Sequence, residues 1–67
     1  MTRDERLLNC LRASAATALH DAGATARETE ELKYQVIDAL ASDLDESMAT
    51  AAERLLRQYR EERSAAA

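Results

Sequence analysis

Between residues 32 and 59 the apolar side chains step along the chain as Leu32, Val36, Leu40, Leu44, Met48, Ala51, Leu55 and Tyr59. Each step is three or four residues, the spacing of one helix face. The run covers 27 residues in seven steps, or about 3.9 residues per step against the 3.6 of a straight helix. By Tyr59 the drift amounts to about half a turn. One straight helix therefore cannot aim Leu32 and Tyr59 at the same neighbour. The chain must break or kink, wrap around a partner, or face two partners. Asp43 and Glu46 have the spacing of a capping box, and Asp45 adds a carboxylate where a helix start favours one. These signals predict a kink or break near 42–46, followed by a third helical segment over about 44–63.

The same start signals recur upstream. Thr2 and Glu5 form one capping box and Thr25 and Glu28 another, each side chain satisfying the other residue's backbone N–H. Leu8, Leu11, Ala15, Leu19 and Ala22 make one apolar face, widened by Leu7 and Ala18. Gly23, the single glycine, fits a left-handed cap just past the end of that helix. Leu32, Val36, Ile37 and Leu40 form the stripe of the next. Helices are expected over about 3–22 and 26–42, and the very short connection makes them antiparallel neighbours. The fold class is all-α, a small helical bundle in one domain (1–64) with a disordered tail (65–67).

The core of such a bundle is thin. The chain has 67 residues, no Pro, Phe or Trp, and of its 46% hydrophobic residues nearly half are Ala. A domain of this size buries only about 60% of its unfolded surface, and small scaffolds commonly add disulfides, metal or oligomerisation. The single cysteine, Cys10, excludes an internal disulfide. Dimerisation, or docking to a partner protein, is then the expected supplement. A first helix of about 30 Å covers only part of a longer one, so Leu44, Met48, Leu55, Leu56 and Tyr59 are the expected interface, in the manner of a coiled coil. Tyr and Arg are favoured at interaction hot spots, and Tyr59 lies between Arg57 and Arg60.

Charge is unevenly placed. Residues 28–46 carry seven carboxylates and one Lys. Glu28, Glu31 and Asp38 recur on the side opposite Val36 and Leu40, a face suited to water or to a basic partner. Arg54, Arg57, Arg60 and Arg63 repeat every third residue, but Glu53, Glu61 and Glu62 lie among them. With a net charge of −4 and a pI near 4.8, phosphate repulsion opposes nucleic-acid binding, which leaves a nucleic-acid-associated transcriptional regulator using the Arg-rich helix as the alternative reading.

Nothing in the chain suggests catalysis. His20 and Cys10 stand ten residues apart on one helix, about 15 Å along its axis, too far to act as base and nucleophile. Cys10 reads as a small core residue, and His20 as a cation suited to a helix C-terminus. Asp43, Asp45 and Glu46 lack the glycine and closing glutamate of a calcium loop. No cofactor, metal or small-molecule substrate is indicated. No apolar run approaches the about 20 residues of a membrane span, and no secretory leader is evident, so a cytoplasmic protein is expected. The function expected is that of a non-enzymatic helical interaction module that self-associates or binds a partner protein to regulate, inhibit or chaperone it.

Overall fold

The computed structural model describes residues 2–43 and 45–66. It contains three helices, α1 (Arg3–Asp21), α2 (Ala26–Ser42) and α3 (Met48–Ala66), and each packs against the other two. The antiparallel hairpin, the break and the third helix are all present.

Both upstream capping boxes form. Thr2 Oγ1 accepts from the Glu5 N–H at 3.2 Å and Glu5 accepts from the Thr2 N–H at 3.3 Å. Thr25 and Glu28 repeat the exchange at 3.2 and 2.9 Å. The turn between them is a Schellman motif. The Ala24 N–H bonds back to the Leu19 carbonyl and the Gly23 N–H to that of His20, both at 3.0 Å. Gly23 takes φ +97° there, a conformation that carries a Cβ at a cost.

The third helix begins later than its charge pattern implies. It starts at Met48, not near 44, and its capping residue is Ser47. The Ser47 hydroxyl accepts from the Thr50 N–H at 3.1 Å, and its carbonyl receives the Ala51 N–H at 3.0 Å. Asp43 ends α2 instead. It is the extended C-cap residue, its N–H bonded to the Ala39 carbonyl at 2.9 Å. Its carboxylate accepts from the Asp45 N–H at 3.1 Å, an Asx-type turn that competes with helix capping. Glu46 is drawn away to Arg54. Leu44 lies outside the described residues. At the other end α3 runs through Ala65 to Ala66, two positions expected in a disordered tail.

The core is small and rich in alanine. Ala15, Leu19, Ala24, Leu32, Val36, Ala51, Ala52 and Leu56 are buried, and Ile37, Leu40, Met48, Leu55 and Tyr59 pack partly covered against them. The long axis measures 43 Å, whereas a helix of 19 residues spans about 28 Å. The helices are therefore slid along one another. Met48 and Ala49 share a groove with Ala13, Ser14 and Thr17, in the middle of α1. Near the far end of α3, Arg60 reaches Gly23 in the hairpin turn. So α3 runs alongside the second half of α1 and leaves the first half with less cover.

Candidate functional site

The side chains expected to form an interface on α3 are engaged within the chain. Leu56 is buried, and Met48, Leu55 and Tyr59 are half-buried against the core. The drift in apolar phase is resolved by the five-residue break at 43–47, which re-aims α3 at the hairpin.

The charged residues singled out on α2 and α3 meet one another. Arg60 Nε and one terminal nitrogen bind the two oxygens of Glu28, each at 2.9 Å, and the same terminal nitrogen reaches the Gly23 carbonyl at 3.0 Å. Glu28 is only 5% exposed. A planar guanidinium matches a carboxylate in this two-pronged way. The Arg60 bonds, with the Thr25 N–H second, hold the Glu28 carboxyl down at about 2. Arg54 grips Glu46 in the same geometry at 2.9 and 3.0 Å, which ties the 43–47 connection to α3 and lowers the Glu46 pKa. The Tyr59 hydroxyl donates to Glu31. That bond lowers the carboxyl and raises the phenol. The Arg63 guanidinium lies 5.7 Å from the centre of the Tyr59 ring. Asp38 is exposed, and Arg57 lines an open groove with Glu53 and Glu61. Phosphate contacts by the arginine row would compete with carboxylates for Arg54 and Arg60.

Sequence periodicity places such residues on a face but does not set how far one helix is slid along the next. The Glu28–Arg60 and Glu46–Arg54 pairs follow from that register. The usable signal was a row of arginines facing a segment with excess carboxylate, which implies pairing without saying which residue meets which.

The exposed apolar surface lies elsewhere, on the first half of α1. Leu7 is 60% exposed and Leu8 38%. Cys10, expected in the core, is exposed as well; two residues from Leu8, it lies off the apolar face of α1, on the same side as the exposed Thr17. Leu11 is half-buried. On α2 beside them Tyr34 is 48% exposed, with Arg12 and Lys33 at 5.3 and 5.4 Å from its ring centre. Such placements are worth about 0.5–1 kcal/mol each at exposed sites. Arg12 makes one long bond to Asn9 Oδ1, at 3.4 Å. Its Nε is the one buried side-chain nitrogen or oxygen without a hydrogen-bond partner among the described residues. The apolar pattern on α1 foretold a continuous buried face through Leu8 and Leu11. It could not foretell that the third helix would cover only half of it.

Among the described residues no three His, Cys, Asp or Glu side chains come together as a metal site, and no helix is long and apolar enough to cross a membrane. No family model, curated protein or solved structure matches this chain.

Proposed function

We propose that this chain is a helical interaction module with no chemistry of its own. It docks another polypeptide through the strip formed by Leu7, Leu8 and Leu11 on the first half of α1, and through that contact regulates, inhibits or chaperones what it binds. The observation that carries this reading is the exposure of Leu7 and Leu8 in a chain with few large apolar residues to cover its core. An exposed apolar patch on a small soluble domain marks an interface. The paired carboxylates and arginines support it from the other side. Arg54, Tyr59 and Arg60 are engaged within the chain, while Leu7, Leu8 and Tyr34 are the large hydrophobic residues left exposed among the described residues.

The double variant Leu7→Glu, Leu8→Glu tests it. Glutamate keeps helix propensity and removes the apolar strip. The wild-type chain should associate, with itself or with a protein retained from its native host, and the variant should lose that association while its far-ultraviolet circular dichroism stays helical. A wild-type chain that associates with nothing, or a variant that associates as well as wild type, overturns the reading.

A further inference from the structure

We infer that the occupant of the α1 strip is a second copy of this chain, paired antiparallel about a two-fold axis that passes beside Leu8. The inference rests on the docking face proposed above and adds its occupant. Asp4, Leu8 and Arg12 are spaced four apart and so share one side of α1. Leu8 lies midway between the acidic and the basic residue. When two such helices run antiparallel with Leu8 opposite Leu8, Asp4 of each chain falls opposite Arg12 of the other, and the symmetric interface gains the pair twice. Leu7 and Leu11 of the two copies then alternate along the seam. The row from carboxylate through leucine to guanidinium is thus complementary to its own reverse, a property that recognition of an unrelated protein does not require.

Neither charged end is held in an ion pair among the described residues. Asp4 is exposed. Arg12 is half-buried with its Nε covered, and among the described residues its contacts are the long bond to Asn9 and the Tyr34 ring, so its terminal nitrogens are the donors left to offer. The other two-pronged arginines of the chain already hold carboxylates. A guanidinium carries five donors, and a partner's Asp4 supplies the carboxylate that Arg12 lacks. Glu5, by contrast, is occupied in its capping box. The row from Asp4 to Arg12 spans about two turns and is smaller than the about 800 Å² per partner of a standard interface, so the expected pairing is micromolar and not nanomolar.

Sedimentation equilibrium from micromolar to millimolar concentration, with charge exchange, tests the pairing. Wild type should dimerise. Asp4→Arg and Arg12→Asp should each weaken the dimer by about tenfold, the scale of a lost interfacial charge pair, and the two together should restore it. Circular dichroism checks that each variant keeps its helices. A wild type that stays monomeric throughout, or a double exchange as weak as either single change, overturns the inference. If wild type is monomeric yet loses a host protein on Leu7→Glu, Leu8→Glu, the docking function stands and the second copy is excluded; if it binds nothing, both fall.

Discussion

At the hairpin end of the bundle, Arg60 fastens α3 to the Gly23 carbonyl and to both oxygens of Glu28, and Leu19, Leu32 and Leu56 are sealed in the same half. At the opposite end, Leu7 and Leu8 stand in the open, and α1 leans on α2 without α3 beside it. The two ends use the same residue types, leucine on the inward face of an amphipathic helix and a capping box at its start. What separates them is a shift of α3 along α1. Periodicity decides which side of a helix is apolar. The offset between helices decides how much of that side is buried, and so whether a leucine is sealed in the core or left in the open.

The largest test of this contrast compares one leucine from each end. Leu19→Ala should cost about 2–5 kcal/mol, the range for a fully buried leucine, and in a domain of this size that approaches the whole stability. Leu7→Ala, measured by urea unfolding in a dilute sample, should stay within about 0.5 kcal/mol, as for other surface changes. Equal losses at the two sites would break the comparison.

Next comes the ionic clamp at the hairpin end. Glu28 titrates at about 2 in the folded chain, against 4.5 as its ordinary value. A carboxyl lowered by folding contributes stability that is fully present above its unfolded value, and lost as the pH falls toward its folded one. Wild type should therefore lose stability between about pH 4.5 and 2. Glu28→Gln should be less stable at neutral pH and flatter across that window, because glutamine cannot be protonated and leaves Arg60 without its counter-charge. Urea midpoints taken against pH read both effects, and parallel profiles for the two proteins would remove the clamp from the account.

The smallest effect belongs to the junction between the halves. Ser47→Ala removes the acceptor for the Thr50 N–H and should cost about 1 kcal/mol, while Asp43→Ala should not fray the start of α3. Amide exchange at Thr50 and Ala51 distinguishes the two. Faster exchange in the Asp43 variant and not in the Ser47 variant would return the cap to the residue that the sequence pattern favoured.

Much of the fold was legible before any coordinates. Thr2 with Glu5, Thr25 with Glu28, and Gly23 are local signals, each settled within a few residues, and they place α1, α2 and the turn to within a residue. The phase drift from Leu32 to Tyr59 correctly demanded a change of direction. The start of α3 was misplaced because Asp43, Glu46 and Ser47 all satisfy local capping chemistry, and the choice among them depends on Arg54 drawing Glu46 aside. The location of the exposed strip was not legible at all, since it depends on an offset between helices that no single-helix pattern encodes. Cys10 is a different miss: its small apolar character suggested the core, but two residues from Leu8 it lies off the apolar face and is exposed.

Ala15, Ala51 and Ala52, with no exposed surface, also bear on how this protein can change over generations. A single nucleotide change in an alanine codon gives Ser, Thr, Pro, Val, Asp, Glu or Gly. Val and Thr overfill a site closed around a methyl group, Ser adds a hydroxyl, Asp and Glu bring buried charge, and Gly and Pro disfavour the helix. Genetic drift therefore has almost no neutral step at the centre of the bundle, although alanine is among the most interchangeable residues on a protein surface. A saturation-mutagenesis screen for folded protein should find its least tolerant positions at these three methyl groups and the leucines around them, and its most tolerant ones on the outer faces of the same helices.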